Sequence, residues 1–168
     1  DPGPACYGRG GNRSTVTDAC LVLGYIDPEY FLGGTMDVSL ELAENAIQSN
    51  VAEPLQIDVY ESAAAILALA AERMVTAIEE ITLIQGIDPE KSVLIGGGGG
   101  AGLYCMGIAK RLNCWPILIP EAAAALSATG AIISDLKTTF MTTNLITTNQ
   151  FDKEKANSII QNLIKKCN

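Results

Sequence analysis

The chain has 168 residues, of which 48% are hydrophobic and 18% charged, a balance that supports one folded domain with a real core and argues against intrinsic disorder. Eleven Lys and Arg against nineteen Asp and Glu give a net charge of -8, so neither nucleic acid nor an anionic membrane is an expected partner. Histidine is absent, which removes the usual proton carrier near neutral pH.

Residues 1–14, DPGPACYGRGGNRS, are dense in Pro and Gly and read as a loop. Thr15 followed by Asp18 predicts a helix start, with Gly24 as its stop. After the turn-rich IDPEYFLGG, an amphipathic helix is expected from Val38 to Gln48, broken by the segment from Ser49 to Pro54. Asp58 and Glu61 predict the cap of one long helix. Its apolar stripe, Ile66, Ala70, Met74, Ala77, Ile81 and Ile84, reads as core packing, with Glu72, Arg73, Glu79 and Glu80 facing away and Gly86 as the stop.

A short strand from Ser92 to Ile95, a glycine turn, a helix to Leu112, a second strand from Trp115 to Ile119 and an alanine-rich helix from Pro120 to about Leu136 make a βαβα unit. A strand-like stretch, Lys137 to Thr148, and a last helix from Asp152 to Lys166 with Ile159, Ile160, Leu163 and Ile164 as its buried side complete the order. No apolar run approaches the ~18 residues that cross a bilayer, and no basic-then-apolar leader opens the chain. Cys6, Cys20, Cys105, Cys114 and Cys167 show neither CxxC nor CxxH spacing, so reduced thiols in a cytoplasmic protein are expected, with no metal site. Because Asp1 rather than Met comes first, the chain is expected to be a piece of a longer protein.

Gly96, Gly97, Gly98, Gly99 and Gly100, followed by Ala101 and Gly102, carry the most information. Such a run costs roughly 0.5–1 kcal/mol per residue against alanine in regular structure, and what it offers is close access to the main chain for a ring or a phosphate. The alternative is a tightly packed turn without a ligand. Among nucleotides, Gly97, Gly99 and Gly102 satisfy GxGxxG, with Glu121 near the place of a ribose-binding acid, yet too little chain follows to build a doubly wound sheet. No GxxxxGK[ST] is present.

PGPACYGRGG at 2–11, TVTDACLVLG at 15–24, FLGGTM at 31–36, GIDPEKSVLIGGGGGAG at 86–102 and SATGAIISD at 127–135 resemble, in order and spacing, the ATP-dependent hydantoinase A and 5-oxoprolinase family, which includes acetone and acetophenone carboxylase subunits. The resemblance implies the helix-rich later half of an actin-like, ribonuclease-H-like ATPase fold over 1–148, with 149–168 as a terminal helix leading into a following region. It implies ATP with Mg2+, a small cyclic amide substrate, the missing N-terminal half of the same protein, and a partner subunit of hydantoinase B type. Residues 96–102 then look like the adenosine loop, and Ser127, Ala128 and Gly130 like small residues at a hinge between halves.

Where the family commonly reads GGAGPLHA, this chain reads GGAGLYCM, with Leu103 for Pro and Cys105 for His, and Cys20 stands for the Asn of TDAN. Asp18 is the candidate catalytic carboxylate, positioning Mg2+ water or substrate, or else it complements the helix dipole. Arg9 is the candidate substrate clamp, or a solvated loop arginine. Cys6 and Cys105 read as packing thiols rather than nucleophiles, and the lysines at 153, 155, 165 and 166 as the wet side of a helix. The function implied is the adenosine side of a hydantoinase or oxoprolinase that hydrolyses cyclic amides, the isolated piece being inactive. Alternatives are a piece of an ATP-dependent ketone carboxylase, a non-catalytic binding or assembly module and, third, a dehydrogenase.

Overall fold

Thr15 begins the first helix as the spacing predicts. Its hydroxyl accepts from the Asp18 amide at 3.3 Å while the Asp18 carboxylate accepts from the Thr15 amide at 2.8 Å, a capping box that opens α1 (Val16–Val22). A computed structural model describes residues 2–145, 147, 149 and 151–167 and divides into a unit of Asp1–Thr129 and a smaller one of Gly130–Asn168. Before α1 the chain is loop except for one 3-10 turn, Ala5–Tyr7.

Ser39 caps α2 (Leu40–Ile47), its hydroxyl accepting from the Leu42 amide. The break expected at 49–54 does not occur there. The chain widens into a π-turn, Gln48–Ala52, and continues as α3 (Glu53–Leu55) before Gln56 ends it in the left-handed region. Pro54 sits in a first turn, where its missing N–H costs nothing. Ser49 and Asn50 donate to the carbonyls of Asn45 and Ala46, satisfying groups at the wide turn.

Asp58 accepts from the Tyr60 and Glu61 amides to open α4 (Val59–Gln85), which Gly86 closes at φ 67. Its buried stripe differs from the expected one. Ile66 and Ala70 are half-buried as read, but Met74, Ala77, Ile81 and Ile84 are exposed, and Ala63, Val75 and Ile78 face neighbours instead. Steps of three and four fit two adjacent stripes equally well, and the packing partner selects one.

The first core joins Cys6, Leu21, Val22, Ala43, Ile47 and Ala63, where α1 packs between α2 and the start of α4. A second joins Val75, Ile108, Leu112 and Cys114, where α4 meets α5 (Ala101–Leu112). On either side of α5 in the chain lie β1 (Leu94–Ile95) and β2 (Ile117–Leu118), shorter than expected and paired in parallel, Leu94 with Ile117 and Ile95 with Leu118. The chain is therefore a helix-rich α/β structure with a small parallel sheet.

The alanine run does not start a helix at Pro120. Ala123–Ala125 form a 3-10 turn and α6 (Leu126–Ile133) follows, because the Ala123 carbonyl accepts from the Gly98 amide at 2.7 Å and draws the run toward the glycine loop. In the smaller unit, residues 137–145 and 147 form no strand, contrary to expectation, while Ile146 and Thr148 lie outside the described residues. α7 (Lys153–Cys167) forms as read, but of its expected buried side only Ile159 and Leu163 are half-buried, and Ile160 and Ile164 are exposed. Among the described residues no helix is long and apolar enough to cross a membrane.

Candidate functional site

The glycine loop that leaves β1 is held from two sides. The Gly96 amide donates to the Leu118 carbonyl at 2.9 Å, extending the ladder by one step, and the Gly98 amide donates to Ala123. A Cβ at Gly96 would lie 2.6 Å from Cys105 Sγ, with Ala101 and Ile119 at 3.4 Å, so this glycine is there for close packing. At Gly97 a Cβ would lie 2.6 Å from Leu126 Cδ2. Gly98, at φ 104, turns the chain where an L side chain would be strained, and it faces open space.

What results is a cleft of about 430 Å3 between Gly97 and Gly98 on one wall and residues 124–128 on the other. Two sets of residues picked out separately in the sequence, the glycine loop and the pair Ser127 and Ala128, thus line the same cleft. A Cβ at Gly99 or Gly102 would meet nothing within 4 Å, and one at Gly100 would meet only Tyr104. The Ala101 amide is bonded back to the Gly98 carbonyl, and Gly100, the residue before α5, provides no side-chain cap. Gly130 is the first residue of the smaller unit. Ala124, Ala125 and Leu126 were not singled out in the sequence. The alanine run signalled a helix, and only the Gly98 to Ala123 bond makes it a wall.

Neither Asp18 nor Arg9 lines this cleft. Asp18 is fully buried and accepts from the amides of Ala5, Cys6 and Thr15 and from the Thr15 hydroxyl, at 3.3, 2.7, 2.8 and 2.7 Å. These bonds pin the N-terminal turn onto α1 and occupy the lone pairs that a metal-bound water or a substrate would need. Burial first, and then hydrogen bonding to Asp18 and its charge, push the Cys6 thiol up to about 12, which keeps it protonated and inert. Arg9 is exposed, its guanidinium 5.9 Å from the Tyr7 ring centre, a cation-π contact. Cys105 is buried behind the loop against Gly96. Among the described residues the cysteines are free, and no group of three His, Cys, Asp or Glu stands ready to hold a metal ion.

The residues present fit a nucleotide's base and sugar. The cleft presents glycine and alanine surfaces, the Leu126 side chain and one hydroxyl, Ser127, and no charged side chain lines it. They do not fit a Mg2+ site.

The chain is similar to known proteins over most of its length. The chain is 42% identical over 143 residues to the caprolactamase subunit alpha of Pseudomonas jessenii, a match covering 85% of this chain and 20% of that protein. It is 38% identical over 135 residues to the acetophenone carboxylase gamma subunit of Aromatoleum aromaticum, covering 80% and 18%. The crystal structure of the ATP-dependent caprolactamase from Pseudomonas jessenii superposes with a TM-score of 0.73 at 36% identity, over 98% of this chain and 24% of that one. The chain thus spans about a fifth of the length of the curated relatives it matches. The Hydantoinase/oxoprolinase family profile matches residues 1–140, and the chain belongs to that family.

Proposed function

We propose that this chain is the adenosine-side segment of an ATP-dependent enzyme that opens cyclic amides, and that the cleft between Gly97, Gly98 and residues 124–128 receives the nucleotide. The observation that carries the reading is a cleft walled by bare main chain and methyl groups in a chain similar to an ATP-dependent caprolactamase. In it, Gly98 and Gly99 let the base approach the backbone, and residues 99–102 lead into the uncapped start of α5. The fold would be the later half of an actin-like ATPase domain ending near 148, with Ser127, Ala128 and Gly130 as its hinge residues.

Held at Gly97, Gly98 and residues 124–128, ATP would supply the γ-phosphoryl group that activates the amide carbonyl oxygen. A first water would then add to the carbon, the ring C–N bond would break with the nitrogen taking a proton, and a second water would hydrolyse the resulting acyl phosphate to the open amino acid and phosphate. A hydantoinase B-type partner subunit and a cytoplasmic setting belong to this proposal, and Mg2+ would be held by residues outside this chain, since the described residues offer it no site. The saturated hydrogen bonding of Asp18 favours a structural job for it. In the full-length protein, phosphate release should be stimulated by hydantoin, 5-oxoproline or caprolactam, and Ala125→Leu, which fills the cleft from an exposed position, should raise the KM for ATP at least tenfold. Unstimulated ATP turnover with every cyclic amide would sink the reading.

A second reading is a segment of an ATP-dependent ketone carboxylase, favoured by the similarity to the acetophenone carboxylase gamma subunit. Incorporation of labelled carbon dioxide into a small ketone, with no hydrolysis of cyclic amides, would select it.

A further inference from the structure

The N-terminal loop closes on itself to form a pocket of about 440 Å3, separate in its lining from the nucleotide cleft. Pro2, Gly3, Pro4 and Gly11 supply walls without ionisable side chains, and Asn12 and Arg13 supply the polar groups. The backbone here is tightly built. A Cβ on Gly11 would lie 2.5 Å from the Gly3 carbonyl oxygen, so the two arms of the loop meet at a distance only glycine permits. Asn50 donates to the Asn12 carbonyl at 2.9 Å, tying the far arm to the π-turn. Asp18 holds the amides of Ala5 and Cys6, tying the near arm to α1.

Within this frame Thr15 is spent. Its hydroxyl donates to Asp18 and accepts from the Asp18 amide. The donors left to a ligand are the Asn12 amide and the Arg13 guanidinium. Among the described residues the ion pairs are Lys91 with Asp88 and Arg111 with Glu72, and no acidic side chain lines the pocket. In a chain of net charge -8, a cationic pocket lined by no acid among the described residues is a specific feature. A planar fork with a neighbouring amide suits a carboxylate, which accepts two parallel bonds from arginine. Arg9, the arginine favoured by the sequence, is occupied on the Tyr7 ring instead.

We propose that this pocket is a binding subsite for a small carboxylate, with Arg13 as its cation. The inference rests on the cyclic-amide reading only for the choice of molecule that brings the carboxylate, and not for the chemistry of the pocket.

The test is calorimetric titration of the full-length protein with 5-oxoproline, a lactam bearing a carboxylate, and with 2-pyrrolidinone, the same ring without it. Arg13→Gln should weaken 5-oxoproline binding about ten- to a hundred-fold and leave 2-pyrrolidinone unaffected, while Arg9→Gln changes neither. Arg13→Lys, which keeps the charge and loses the fork, should fall between, and it carries the test if the Gln variant melts early. Equal binding of 5-oxoproline by wild type and Arg13→Gln, or no preference of wild type for the carboxylate-bearing ring, overturns the proposal. If 5-oxoproline binds through Arg13 but neither ring stimulates ATP turnover, the carboxylate site stands and the proposed function fails.

Discussion

Through its carboxylate, the buried Asp18 joins the N-terminal turn to the start of α1. Replacing it with alanine leaves the Ala5 and Cys6 amides buried without acceptors and removes the reciprocal cap of α1. A loss of about 2–4 kcal/mol in unfolding free energy is expected, read from urea denaturation, whereas a solvated acid would give a change within about 0.5 kcal/mol. The thiol beside it sets an alkaline limit. Cys6 is raised from 9.0 to about 12 in the folded chain, so the folded state holds its proton where the unfolded state releases it. Stability contributed by the neutral thiol is complete below pH 9 and is lost as the pH rises from there toward 12. Cys6→Ala should flatten that part of the pH–stability curve. The TVTD spacing announced the cap, but residues thirteen and twelve positions away, Ala5 and Cys6, joined the carboxylate through tertiary folding that no local pattern encodes.

At the scale of elements, the strand–loop–helix join is closely fitted at Gly96 and Gly97. Gly96→Ala places a methyl group against Cys105 Sγ, Ala101 and Ile119 together, and should cost about 1–3 kcal/mol through overpacking. Adding Cys105→Ala removes the nearest atom, so the double variant should recover part of that loss. A double-mutant cycle reads this as a coupling of about 0.5 kcal/mol or more, and strictly additive effects would contradict the fit described. Helix starts and stops at Thr15, Asp58 and Gly86 were legible because capping chemistry is local. The stripe of α4 was not, since two phases of the same periodicity compete and only the placement of α1 and α5 decides between them. The helix from Pro120 failed for a similar reason, as alanine propensity yielded to one bond from Gly98.

Taken whole, the larger unit carries an apolar surface that its own residues do not cover. Ile81, Ile87, Val93, Ile95, Leu118 and Ile119 are exposed, and Leu83 and Ile84 are 82% and 85% accessible. Single exposed apolar residues are ordinary, but a group spanning the end of α4 and both strands is not. Purified alone, the 168-residue chain should bind a hydrophobic dye and self-associate, and Ile84→Lys with Leu83→Lys should reduce both, as followed by fluorescence and light scattering. The family was legible in five motifs held in register, whereas the cleft wall at 124–128 and the loop pocket at Arg13 emerge only when distant segments meet. The plainness of that wall sets a limit on selectivity. Methyl groups, bare peptide and one hydroxyl offer few partners for the exocyclic groups that distinguish adenine from guanine, and a site lacking such partners rejects a near-isostere weakly. If the proposed cleft receives the base, GTP should sustain turnover of the full-length protein with kcat/KM within about a hundred-fold of ATP, so that the choice of fuel would follow cellular supply more than recognition.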